Sequence, residues 1–298
     1  MDRLLFGDNQ FFGINHMSEE KARAQAIRFQ PTQAIIDVLD IAYDEGIRTF
    51  MCTTHERVAE ICDHVRKNRA RYSEFAFYPC MPYAHKYANA ATEEGMFGML
   101  KRVIPKEGVF NALFRGGMSL ASKDIDGITT LLIDAEMKMF DGLNTPVIFL
   151  QNVVTDLLLG LGMTDAFHIF AEHVRKRYGA EPGFITMNLP ALLDMLDKAG
   201  VDNPIVCSNI NKMGFRMCGG IEAYDEAMRN RRFRAVAMSV MASGAIPPRE
   251  AVEWVCARPN LQSIVFGASG ASNIRSFRKM VDEYWDKKLP DTLELAPA

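Results

Sequence analysis

The chain has 298 residues, 48% of them hydrophobic, enough to fill one barrel-sized core, which predicts a single domain over 1–298. Its 34 basic and 37 acidic residues are scattered along the chain, leaving a formal net charge of −3, so the electrostatic footprint of a nucleic-acid or anionic-membrane binder is absent. No apolar run reaches the ~20 residues of a membrane span, and the six cysteines are widely spaced without a CxxC pair; a soluble, cytoplasmic protein with reduced thiols is the expectation.

In chain order, short β-type runs alternate with amphipathic segments. "RLLFG" is followed by "PTQAIIDVLDIAYDEG", in which Ile35, Val38, Leu39 and Ala42 share one helical face, Thr32 can cap and Gly46 stops the helix. "IRTFMCTT" then reads as a buried strand. The unit recurs as "VAEICDHVRKN" and "FAFYPCMP", "GITTLLIDAEMKMF" and "PVIFLQ", "DAFHIFAEHVRKRYG" and "GFITMN", and "LPALLDMLDKAG" and "NPIVCSN". It ends with "GIEAYDEAMRNRRF" and "RAVAMSV", "PPREAVEWVCARP" and "SIVFGAS", and a last helix "SNIRSFRKMVDEYW". Strands apolar throughout, each followed by a helix, require a parallel sheet covered on its outer face. Eight of them close into a (β/α)8 barrel, although an open doubly wound sheet would show much the same pattern.

Residues 84–125 break the repeat. They separate the third strand from its helix by far more than the ~2–6 residues of an ordinary βα connection, on the face where barrels carry their sites. Met96, Phe97, Met99, Leu100, Val109, Phe110, Leu113 and Phe114 make this insertion apolar, which predicts a helical lid or rim segment or a homo-oligomer contact.

In a barrel, polar residues at the C-terminal ends of strands converge on one mouth. Here they are Asp8, Asn9 and Gln10; Cys52, Thr53, Thr54 and His55; Cys80, Tyr83 and His85; Gln151 and Asn152; Asn188; Cys207, Ser208, Asn209, Asn211 and Lys212; Ser239 and Ser243; and Ser269. Amides and thiols dominate and carboxylates are scarce, which argues against a paired-carboxylate glycosidase; no GxSxG elbow supports a serine hydrolase. Cys52, Cys80, Gln151 and Lys212 are the candidate catalytic residues, Lys212 because a strand-end lysine can form a Schiff base. Asn9, Gln10, His55, Asn188, Asn209 and Asn211 are candidates for substrate binding. Cys52 and Cys80 could join His16, His55 or His85 around a metal, but no spacing motif supports one, and no metal is expected.

The loops "ASGAIPP" and "GASGASN" follow the last two strands, where (β/α)8 barrels often hold a phosphate with the help of a helix N-terminus. Ser243, Gly244, Gly267, Ser269, Gly270, Ser272 and Arg275 are the candidate phosphate-binding residues. Gly267 and Gly270 would let an anion approach bare backbone, whereas the plain alternative is a turn at Gly270 and a helix cap at Ser272.

Four stretches, "DEGIRTFMCTTHE", "GFITMNLPALLDMLDKAGVD", "AVAMSVMASGAI" and "PREAVEWVCARPNLQSIVFGASGASNI", resemble the aldo-keto reductase superfamily. The resemblance implies a (β/α)8 barrel with a nicotinamide cofactor over its C-terminal face and an Asp, Tyr, Lys and His catalytic set. Carried over residue by residue, the Asp falls on Cys52, the Tyr on Arg57 or Val58, the Lys near Pro79 or Cys80, and the His on Gln151. The Ser-Asn after the fifth strand becomes "MN", keeping Asn188, and the helpers of the pyrophosphate become Asn273, Ser276 and Phe277. With the proton relay lost, the expectation is a reductase-like barrel turned to lyase or isomerase chemistry on a small polar, anionic or phosphorylated carbonyl compound. A divergent NAD(P)-dependent oxidoreductase and a non-catalytic metabolite-binding barrel are the alternatives.

Overall fold

The computed structural model describes residues 1–14, 18–83 and 122–285, with the backbone alone for 122–129. Within them eight parallel strands pair in sequence order: β1 (Leu4–Gly7), β2 (Thr49–Thr53), β3 (Ala76–Met81), β4 (Val147–Leu150), β5 (Glu181–Thr186), β6 (Ile205–Asn209), β7 (Arg234–Met238) and β8 (Leu261–Phe266). β1 pairs with β2 and also with β8, where Leu5 lies opposite Val265, so the sheet closes and the open doubly wound alternative is ruled out.

Successive side chains on a strand face opposite ways, so the buried strands build two apolar layers. The inner one fills the barrel with Leu5, Met51, Tyr78, Cys80, Phe149, Ile185, Cys207 and Val236. The outer one seats the strands on the helices and holds Phe50, Cys52, Phe77, Met81, Ile148, Phe184 and Val206. Gly183 shows how tight the inner layer is: a Cβ there would lie 2.5 Å from the Phe149 ring, so only glycine leaves space for that ring across the β4–β5 pair.

The helix at 32–44 buries Ile35, Val38, Leu39 and Ala42 as their spacing predicts, but Thr32 does not cap it. The cap position is Pro31, and the Thr32 hydroxyl instead accepts from Arg57 Nε at 3.4 Å. Two helices lie outside the sequence pattern, over 19–28 and 152–160. The helix after the insertion runs over 122–137, so residues 122–125 belong to its first turn and not to the inserted segment. The rest of that segment, with His85 and the expected lid or oligomer contact, lies outside the described residues, as does His16.

Candidate functional site

The strand C-termini open into a cavity of about 450 Å³ at the barrel mouth. Its floor is made by inner-layer side chains, Met51, Cys80, Ile185, Cys207, Met238 and Val265, and its walls by the loops that follow every strand but β2, which contributes Thr53 at its own end. The volume lies within the ~300–1,000 Å³ usual for small-molecule sites.

Two charged side chains line it among the described residues, Asp8 after β1 and Arg216 after β6. Asp8 is 6% exposed, and its Oδ2 accepts from both the backbone N–H and the hydroxyl of Thr53, each at 2.7 Å. Both bonds fall on Oδ2. Burial raises the Asp8 pKa above the ordinary carboxylate value, and the Thr53 bonds offset only part of that rise. Tyr83 lines the same cavity. Its backbone N–H donates to Glu136 Oε1 and Oε2 at 3.2 and 3.1 Å, and the Thr54 hydroxyl donates to the same carboxylate at 2.5 Å. Buried Glu136, on the 122–137 helix, thereby ties the ends of β2 and β3 together. Burial first, and the charge of Asp8 second, raise the Tyr83 pKa, so its phenol stays protonated as a hydrogen-bond donor.

Of the four residues expected to catalyse, Cys80 and Gln151 line the cavity and the other two do not. Cys52 packs in the outer layer with Cys62 and Val58, behind the strand. The residues that β2 turns to the cavity are Met51 and Thr53, so the position to which the reductase Asp was carried faces away from the mouth. Lys212 is exposed and its Nζ is 2.8 Å from Glu250 Oε1, so it is a surface ion pair outside the cavity and not a buried amine poised for a Schiff base. The thiols of Cys52, Cys80 and Cys207 are all pushed up by burial, the first two also by Asp8, which makes none of them a ready thiolate.

Asn9, Gln10 and Asn209 line the cavity; His55, Asn188 and Asn211 do not. His55 caps the 56–67 helix, its Nδ1 accepting from Arg57 N at 3.1 Å, and stacks on Phe12 at 4.1 Å. Asn188 caps the 189–198 helix and borders a separate pocket of about 220 Å³ with Asp156 and Cys218. Asn211 is buried and works on its own loop: Nδ2 donates to the Phe215 carbonyl at 2.9 Å, while Oδ1 accepts from Met213 N and Phe215 N at 3.2 and 2.8 Å.

The two loops read as a phosphate cradle are built differently from each other. After β7, Ser239, Ala242 and Ser243 hold φ of 54°, 45° and 57°, and Gly244 follows at 95°. Such left-handed conformations are rare outside glycine, and here they turn Ser239, Ser243 and Gly244 onto the cavity. After β8, the bare backbone of Gly267 is occupied from within: a Cβ there would lie 2.0 Å from Gln10 Oε1, and Gln10 Nε2 donates to the Gly7 carbonyl at 2.9 Å. Gly267 lines the cavity and leaves room there for the Gln10 amide. The Ser269 carbonyl accepts from Arg28, Arg275 Nε is 2.6 Å from Glu45 Oε1, and Ser269, Gly270, Ser272 and Arg275 do not line the cavity. Both cations at the loop after β8 are engaged within the protein, Arg28 by the Ser269 carbonyl and Arg275 by Glu45, and neither lines the cavity, so the described residues fit the pyrophosphate of a nicotinamide dinucleotide poorly. Among them no group of three or more His, Cys, Asp or Glu side chains could hold a metal ion.

Asp8 and Tyr83 are visible in the sequence as strand-end polar residues, Asp8 being the one carboxylate in that set, but nothing local assigns them a role. Arg216 has no sequence signal; it reaches the mouth only because the loop after β6 folds back.

No family model matches the chain, and no curated protein matches it. Solved structures do. A protein assigned as an aldo-keto reductase from Pseudomonas aeruginosa superposes with a TM-score of 0.61 at 13% identity, covering 95% of this chain and 90% of that one. A protein assigned as a 2,5-diketo-D-gluconic acid reductase B gives 0.54 at 10% identity, over 99% and 90%. At such identities the likeness is one of fold: the chain has an aldo-keto-reductase-like (β/α)8 barrel.

Proposed function

We propose that the protein is an enzyme that moves a proton on a small polar carbonyl compound, by isomerase or lyase chemistry. The observation that carries this reading is the buried Asp8 carboxylate in the mouth cavity, its basicity increased by burial, where β2 turns Met51 and Thr53 and no carboxylate to the cavity. On an α-hydroxy carbonyl compound the Asp8 carboxylate takes the proton from the hydroxyl-bearing carbon, and the electron pair moves onto the carbonyl oxygen, to which the Tyr83 hydroxyl donates as it gains charge. Isomerisation follows when that oxygen takes up a proton, the neighbouring hydroxyl gives up its own to solvent as it becomes the new carbonyl, and protonated Asp8 returns its proton to the former carbonyl carbon; in the lyase case the electron pair instead expels a group from the next carbon, which leaves with the Asp8 proton. A raised carboxyl pKa suits both halves of this exchange, since burial makes the carboxylate the stronger base that takes the proton and the carboxyl then hands it on.

Fold likeness to reductases favours a second reading, nicotinamide-dependent reduction with the cofactor entering beside Ser243 and Gly244. No step is derived through that group, because the cations beside the β8 loop, Arg28 and Arg275, are engaged within the protein and do not line the cavity. A panel of hydroxy-aldehydes and hydroxy-ketones, assayed for isomerisation or cleavage with the parent chain and with Asp8→Asn, tests the first reading. Turnover that depends on Asp8 and needs no added cofactor supports it; turnover unchanged by Asp8→Asn overturns it.

A further inference from the structure

We propose that the cavity takes an anionic, hydroxylated ligand, with its carboxylate or phosphate on Arg216 and one of its hydroxyls donating to Gln25 Oε1. The inference deepens the proposed function and rests on its placement of the substrate in this cavity. Arg216 is the one cation among the described residues that lines the cavity, and no carboxylate among them pairs with it. Other arginines near the strand ends and on the outer helices are committed, Arg231 to Asp194 and Asp197, Arg258 to Asp225, and Arg275 to Glu45. The position of Arg216 is built: Asn209, 1% exposed, donates from Nδ2 to the Arg216 carbonyl at 3.0 Å, while Asn211 fixes the preceding turn by three hydrogen bonds to its backbone. Arg216 itself holds φ of 55°, a conformation that costs a non-glycine residue and persists only where the surroundings enforce it. Two buried amides thus hold a strained turn that sets Arg216 in the cavity lining, exposed, with its guanidinium 5.4 Å from the Phe215 ring centre and no carboxylate partner among the described residues, and a guanidinium suits a carboxylate or a phosphate.

Gln25 supplies the second, independent observation. It lies on the 19–28 helix, which buries none of its own residues. That helix rests on the Gly13 turn, where a Cβ would lie 3.0 Å from the Ala22 carbonyl oxygen and the Ala26 Cβ, and Arg28 joins it to the Ser269 carbonyl. From there Gln25 reaches the cavity, and its Oε1 is buried without a hydrogen-bond partner among the described residues. An unsatisfied buried acceptor is costly, and a hydroxyl donated by a ligand removes the cost. The neutral acceptor and the cation together select a ligand that carries both an anion and a hydroxyl.

Calorimetric titration of the full chain with inorganic phosphate, glycerol 3-phosphate, D-glycerate and glycerol tests this without reference to turnover. At least one of glycerol 3-phosphate and D-glycerate should bind at least tenfold more tightly than glycerol, and whichever it is identifies the anionic group. Arg216→Asn, which tolerates the left-handed backbone, should weaken that ligand at least tenfold while leaving the melting temperature unchanged. Gln25→Leu should remove the advantage of glycerol 3-phosphate over inorganic phosphate, or that of D-glycerate over acetate. Failure of both anions to bind, or affinity unaffected by Arg216→Asn, overturns the inference. Asp8-dependent turnover of neutral hydroxy-ketones that survives Arg216→Asn would show the proposed function standing while this inference falls.

Discussion

Gly267→Ala tests directly whether the glycine-rich loop after β8 serves the protein's own Gln10. A Cβ at 267 would sit 2.0 Å from Gln10 Oε1 and 2.8 Å from its Cδ, so the amide must leave its seat and give up the 2.9 Å bond from Nε2 to the Gly7 carbonyl. Losing that bond costs about 1 kcal/mol, and the crowding adds about 1–3 kcal/mol, for a total of about 2–4 kcal/mol. At about 2 °C per kcal/mol in a chain of this size, the melting temperature should fall by about 4–8 °C. Gly270→Ala is the internal control, since a Cβ there meets nothing within 4 Å, and it should stay within about 1 °C of the parent. Thermal unfolding followed by circular dichroism reads both variants. Equal shifts in the two, or an unchanged Gly267→Ala, would refute the packing argument and return the loop to an open anion cradle.

Asp8→Asn keeps an acceptor for Thr53 and removes a buried charge. Because burial raises the Asp8 pKa, the ionised carboxylate weakens the fold above that raised value, and the penalty disappears as the pH falls to the unfolded carboxylate range. The variant should therefore melt higher than the parent at pH 8, with the difference closing by about pH 4 in a pH series of melts. Glu136→Ala strands the fully buried Thr54 hydroxyl and the Tyr83 N–H, at about 1–3 kcal/mol each; urea unfolding should show a loss of about 2–6 kcal/mol. Gly183→Ala drives a methyl into the Phe149 ring at 2.5 Å and should cost at least about 1–3 kcal/mol by the same measure. Iodoacetamide followed by mass spectrometry should label exposed Cys218 first, the other five thiols being buried and Cys62 pushed up to about 12.

The barrel was legible because each strand is apolar on both faces and each is followed by an amphipathic helix. That same uniformity hid which residues face inward. In "TFMCT" every central residue is apolar, so the period-two alternation leaves no trace, and a one-residue slip exchanges Met51 for Cys52 at the mouth. The 19–28 helix went unread for the opposite reason: it buries nothing and so carries no apolar period, although Ser18 caps it and Glu19 and Glu20 begin it. Glycine in "GASGASN" signals close approach without saying by what, and the answer, Gln10, lies more than 250 residues away in sequence. Tertiary partners also decided the fates of Lys212 and Arg275. Each sits where an anion-binding or nucleophilic cation is plausible, and each is taken by a carboxylate from a different element.

The central claim is that Asp8 moves a proton and that no hydride is delivered. Its most direct test incubates the chain in deuterium oxide with dihydroxyacetone phosphate and, separately, hydroxypyruvate, and beside these supplies each with NADPH carrying deuterium at the transferable position in ordinary water. Proton NMR should show solvent deuterium entering the carbon beside the carbonyl without any cofactor, abolished in Asp8→Asn, and no deuterium arriving from the labelled NADPH. Deuterium delivered from the NADPH to the carbonyl carbon, with no exchange from solvent, would contradict the account and make the protein a reductase.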